Sequence, residues 1–162
     1  MPRHSAASRP PGERRIRAFG GPLATSRTSV WNVDESDVRE WFAEYLSAFA
    51  ALGRGQSRPG DVVAYYGVPF LLTTDDVIVS LGTRDEVLAW LQSQVDAMVA
   101  MNYDHTETLA SDVAILNRHT AVHRGEFSRQ RADGTEINHM SVSYVITRGE
   151  GFCISALLLH SP

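Results

Sequence analysis

The chain has no lysine; its 15 basic side chains are all arginine. Without lysine there is no P-loop phosphate clamp, no Schiff-base amine and no lysine general base. A single cysteine, Cys153, excludes an intramolecular disulfide and any metal centre built on several thiolates. No apolar run approaches the ~18 residues that a membrane helix needs. There is no Gly-x-Ser-x-Gly elbow, and Gly53-Arg54-Gly55 follows a predicted helix and lacks the third glycine of a dinucleotide-binding turn. These absences predict a soluble, cytoplasmic protein that works without a cofactor.

What is present fits one compact domain with a tail: 162 residues, 43% hydrophobic, 21% charged and a net charge of −4. The charge is uneven. Residues 1–33 carry Arg3, Arg9, Arg14, Arg15, Arg17 and Arg27 against the lone acid Glu13, while the body is acidic. The tail shows no helical or strand period and reads as a basic, disordered extension. Arg14-Arg15 before Ile16 faintly matches a twin-arginine export signal, but Arg17 interrupts it and Gly20, Gly21 and Pro22 break the apolar stretch that must follow. An acidic body also argues against nucleic acid as a partner.

From Asp34 the pattern becomes periodic. Val38, Trp41, Phe42, Tyr45, Leu46 and Phe49 form one apolar stripe on a helix over 34–52, with Asp34 as N-cap and Gly53 as stop. A second short helix is predicted from Pro59 to Tyr66. Strands over 68–74 and 77–81 flank Asp75-Asp76 as a hairpin. Thr83 and Glu86 form a capping box for a helix to about Asn102, with Val87, Trp90, Leu91, Val95, Met98 and Val99 inward. Four long antiparallel strands follow, at about 104–116, 119–130, 135–147 and 151–160; Asp133-Gly134 is the strongest turn signal. The helices must bury their stripes against one face of the sheet. A sheet rolled around helices leaves a cavity at its open end.

This order and its punctuation resemble the nuclear transport factor two-like superfamily, which includes SnoaL-like cyclases and ketosteroid isomerases. The resemblance covers residues 34–162 and rests on Glu44-Tyr45-Leu46-Ser47-Ala48-Phe49, on Gly82-Thr83 with Val87 and Trp90, on Asp133-Gly134, Tyr144-Val145-Ile146 and Gly151-Phe152-Cys153-Ile154, and on the His160-Ser161 finish. It implies an α+β fold: a cone-shaped, curved antiparallel or mixed sheet wrapped around the N-terminal helices as a cystatin-like roll. Against the isomerases, Tyr45 matches the first-helix tyrosine of the oxyanion hole. The acid of that hole falls near Ser143 or Tyr144 and the catalytic base near Thr73 or Thr74, none of them acidic. This weighs against that proton-transfer mechanism.

The candidate residues carry two readings each. Tyr45 is core, or a hydrogen-bond donor to a ligand. His123 shares a strand face with Ala121, Gly125 and Phe127; it is a general acid/base on the cavity, or a buried neutral imidazole. His160, grouped with Ile154, Ala156 and Leu158, points into the cavity or frays at the terminus. His119 and His123 lie roughly 13 Å apart on a strand at about 3.3 Å per residue, so they cannot share a metal ion; no metal site is expected. On the third long strand either Met140, Val142, Tyr144 and Ile146 face inward or Ser141, Ser143 and Val145 do, because a one-residue slip exchanges the faces. Cys153 reads as an inert core thiol.

The expected cavity wall is Trp41, Tyr45, Phe49, Tyr66, Phe70, Trp90, His123, Phe127, Leu158 and His160. Such a wall suits a small, mostly apolar organic molecule. The alternatives are an isomerase, cyclase or dehydratase using His123, Tyr45 or His160 on a hydrophobic carbonyl substrate, and a purely structural dimerisation module. A homodimer through the sheet is expected because both faces of the last strand are fairly apolar.

Overall fold

A computed structural model describes residues 32–160, so the expected tail lies outside the described residues except for Asn32 and Val33. Val33 is buried, and its N–H donates to the Arg118 carbonyl at 3.2 Å. The chain then forms α1 (Glu35–Gly53), where the Asp34 side chain accepts from the Ser36 N–H and Glu35 and Asp37 complement the dipole of the first turn. The short α2 (Pro59–Val62) tightens into a 3-10 turn, Val63–Tyr65, before β1 (Tyr66–Thr73) and β2 (Ile78–Leu81). Next comes α3 (Arg84–Ala100), with the Thr83–Glu86 capping box in place, and it stops where Asn102 turns left-handed at φ 56°. Four long strands complete the chain: β3 (Tyr103–Asn117), β4 (Thr120–Arg131), β5 (Glu136–Arg148) and β6 (Phe152–His160).

The strands form one six-stranded sheet in the order β2-β1-β6-β5-β4-β3. Only the β1–β6 pair is parallel, so the sheet is mixed and α+β in layout, as the sequence predicts. The helices supply Val38, Phe42, Tyr45, Val87 and Leu91 to one core against Phe127, Val142, Tyr144, Ile146 and Ile154 from the sheet.

Three expectations change. Tyr66 begins a strand instead of ending a helix, because its backbone pairs with Ile154 of β6; that long-range ladder overrides the local pattern. Val99 is 52% exposed. The buried stripe of α3 runs Val87, Leu91, Val95, Met98, and Val99 sits beside it on the solvent side. On β6 the register shifts: Val145 pairs with Ala156 and Ile146 with Ile154, so Ser155 is left over as a bulge. One extra residue reverses the alternation. Ile154 is inward before the bulge and Leu157 after it, and Leu158 lands opposite the outward Ser143.

The open register of β5 resolves to Met140, Val142, Tyr144 and Ile146 inward, the more apolar choice. On β4, Gly125 lies under the ring of Phe127; a Cβ at Gly125 would sit 2.2 Å from Phe127 Cζ. The aromatic ring thus covers the gap in the sheet that glycine leaves.

Candidate functional site

The open end of the cone holds a cavity of about 370 Å³, within the usual range for small-molecule sites. α1 presents Tyr45 and Phe49, one helical turn apart, and α3 presents Trp90 and Gln94 with the same spacing. β1 adds Tyr66 and Leu72, and β6 adds Leu157 and Leu159, placed inward by the bulge at Ser155. β5 gives Asn138, Met140 and Tyr144, and β4 gives Arg129. No aspartate or glutamate among the described residues lines the cavity.

Its polar floor is a set of phenols. The hydroxyls of Tyr45 and Tyr66 are hydrogen-bonded at 2.8 Å, and Tyr144 lies within hydrogen-bonding reach of Tyr45. Burial pushes all three hydroxyls well above the ordinary phenol range, and the positive charge of Arg129 pulls each partly back. All three therefore stay protonated at any ordinary pH, and within the Tyr45–Tyr66 bond one hydroxyl donates while the other accepts. Tyr66 and Trp90 pack edge to face at 5.5 Å, which stiffens the wall between α3 and β1.

Five of the ten expected wall residues border this cavity: Tyr45, Phe49, Tyr66, Trp90 and His160. The other five lie elsewhere, each for a physical reason. Trp41 packs against Tyr65 and Phe152 at 5.6 Å each, away from the opening. Phe70 is fully buried behind Tyr66 and Trp90. Leu158 is turned outward by the bulge. Phe127 covers Gly125. His123 is buried under α1, its ring stacked on Phe42 with centroids 3.8 Å apart, and Nδ1 has no hydrogen-bond partner. Desolvation, with the charge of Arg39 second, lowers the His123 pKa to about 4. It is a buried core imidazole that does not line the cavity. His160 is exposed at the end of β6. It borders the mouth, but its Nε2 is engaged at 2.8 Å by Ser143 Oγ on the outward side of the sheet.

His105 and His119 are outside the core. His119 falls in the β3–β4 turn, not on a strand, and His105 pairs with Asp104 at 2.9 Å on the surface. No group of three or more metal-ligating side chains occurs among the described residues. No helix among them is long and apolar enough to cross a membrane.

A family model described as NTF2-like protein (DUF6841) matches residues 34–162. The chain belongs to this family. Solved structures share the NTF2-like cone at low identity. A domain with a cystatin-like fold from Nostoc punctiforme is 22% identical with a TM-score of 0.60, over 80% of this chain and 77% of that one. An NTF2-like protein from Novosphingobium aromaticivorans is 15% identical with a TM-score of 0.58, over 78% and 80%. One from Shewanella oneidensis is 12% identical with a TM-score of 0.58, over 76% and 99%. No curated protein sequence matches the chain. At such identities the likeness concerns the fold, and the site has to be read from its own residues.

Eleven lining residues of this NTF2-like cone fall outside the expected wall, among them the polar Gln94, Arg129 and Asn138. These three had a signal in the sequence. Gln94 is one turn beyond Trp90. Arg129 continues the inward alternation of Ala121, His123, Gly125 and Phe127 by one more step. Asn138 continues the more apolar reading of β5, Met140, Val142, Tyr144 and Ile146, by one more step, and its pair with Arg129 lies before the register shift at Gln130.

Proposed function

We propose that this NTF2-like protein binds a small, mostly apolar organic molecule in the cone cavity, without catalysing a reaction on it. The observation that carries this reading is the composition of the wall. Aromatic and aliphatic side chains enclose a few convergent polar groups, and among the described residues carboxylates are absent from the lining. The tyrosine hydroxyls hold their protons, and His123 does not line the cavity. An isomerase or dehydratase reading keeps only His139 and His160, both exposed at the mouth, to move a proton, and nothing orients either towards a substrate.

Calorimetric titration with the neutral aromatic 2-naphthol tests the reading. One molecule is expected to bind per chain, and Leu72→Trp, which fills the cavity, is expected to abolish binding while the fold persists by circular dichroism. Binding that survives the filled cavity contradicts it, and so does a wild type that binds neither 2-naphthol nor the acids and amides named below.

We also propose that two copies pair through the outward face of the sheet. Ala114, Val122, Val145 and Ala156 form a cross-strand apolar row there. The next row carries Asp112 beside Arg124, opposite charges that suit a two-fold contact. Sedimentation should give a dimer, and Val145→Arg a monomer; a monomeric wild type contradicts the pairing.

A further inference from the structure

Nine arginines lie among the described residues. Those that are not fully exposed should have partners, because a guanidinium taken partly out of water without an acceptor is costly. Arg131 has them: its Nε donates to the Met101 carbonyl at 3.0 Å. Arg148 pairs with Asp37 at 3.2 Å and lies over the Phe152 ring at 4.6 Å. Arg39 and Arg54, both exposed, are also engaged, with Glu35 and with the Asp104 carbonyl. Arg58, Arg84, Arg118 and Arg124 are exposed to solvent.

Arg129 alone breaks the pattern. It is half-buried in the cavity wall, and it makes no hydrogen bond and no ion pair among the described residues. It stands directly across from Asn138 on β5, which adds an amide donor beside it. Its field reaches the hydroxyls of Tyr45, Tyr66 and Tyr144. Donors therefore converge on one end of the cavity: a guanidinium fork, an amide and phenols that hold their protons. The rest of the wall, with Trp90, Leu72, Leu157 and Phe49, is apolar. Among the described residues no carboxylate in the lining offsets the positive charge.

We propose that the ligand is a small apolar monocarboxylate, its anionic end held by Arg129 and its body against the Trp90–Leu72 wall. This rests on the cavity-binding reading above and names its ligand class. A carboxylate matches the fork of a guanidinium with two parallel N–H···O bonds, and it supplies the missing counter-charge. One cation calls for one negative charge. Ring or chain acids fit the apolar remainder, and a neutral isostere leaves the fork without an acceptor.

The test is calorimetry with matched acid and amide pairs: 2-naphthoate against 2-naphthamide, and 3-phenylpropanoate against its amide. At least one acid is expected to bind the wild type at least about tenfold tighter than its amide, as a charge-assisted pair requires. Raising the ionic strength should weaken the acid and leave the amide unchanged. Arg129→Gln should bring acid and amide to equal affinity, and Arg129→Lys, which keeps the charge but not the fork, should retain part of the preference. Circular dichroism shows whether each variant is folded, and Arg129→Lys keeps the test open if Arg129→Gln is not. Acid and amide binding equally to the wild type overturns the carboxylate proposal and leaves the cavity reading standing. Acids, amides and 2-naphthol all failing to bind overturns both.

Discussion

One strand, β4, runs through two unlike halves of the cone interior, and its inward residues show what separates them. At the closed end, His123 lies under α1 against Phe42, with an imidazole nitrogen that bonds to nothing and a pKa held down to about 4. At the open end, three steps along the same face, Arg129 stands in a cavity beside hydroxyls chained to each other. Both are polar groups in a mostly apolar interior, and the protein handles them in opposite ways. The closed end makes its polar group neutral and packs it like an aromatic ring. The open end keeps a charged group and gives it no partner among the described residues. A fold gains nothing from an unpaired cation at a cavity wall, so the proposed ligand would account for Arg129, whereas packing alone accounts for His123.

The sharpest way to break this contrast is to empty the closed end. Phe42→Ala removes the ring that stacks on His123 and touches Tyr45 and Tyr144. The expected loss is about 4 kcal/mol in urea unfolding, the usual cost of deleting a buried phenylalanine. A loss near zero would mean that the closed end is not a packed core.

The pH dependence of stability comes next in size. The His123 pKa is lowered on folding, so between about 6.5 and about 4 the unfolded chain binds the proton that the folded chain refuses. The contribution is fully present above pH 6.5 and fades as pH falls, by about 3 kcal/mol in total at roughly 1.4 kcal/mol per pKa unit. His123→Phe should remove that slope and leave stability at pH 7 unchanged or higher, since the lost nitrogen bonded to nothing. A variant that keeps the wild-type slope would place the titration in another group.

At the open end effects on stability should be small. Tyr45→Phe deletes the 2.8 Å bond to Tyr66 and is expected to cost about 1 kcal/mol. If it cost as much as Phe42→Ala, the hydroxyls would be structural and not a floor for a ligand.

Much of the scaffold was legible in the sequence because each element has its own period and its own punctuation. The stripe from Val38 to Phe49, the Thr83–Glu86 capping box and the Asp133-Gly134 turn each locate an element by local chemistry. Depth along the cone was not legible. His123 and Phe127 have the right parity for an inward face, but parity does not say which end of the strand α1 covers. The inward side of β6 was hidden for a different reason. A bulge at Ser155 has no local mark in Cys153-Ile154-Ser155-Ala156, and it exchanges Leu158 for Leu157 and Leu159. Tyr66 was misplaced because its strand is defined by a partner almost ninety residues away.

The most direct test of the contrast between the two ends is an NMR titration of the protein with 2-naphthoate, following the side-chain signals of Arg129, Trp90 and His123 together. The account predicts that the Arg129 Nε–H and the Trp90 indole shift in a saturable way while the His123 ring stays still. Shifts centred on His123, with Arg129 and Trp90 unmoved, would put the binding site at the wrong end of the cone and contradict it.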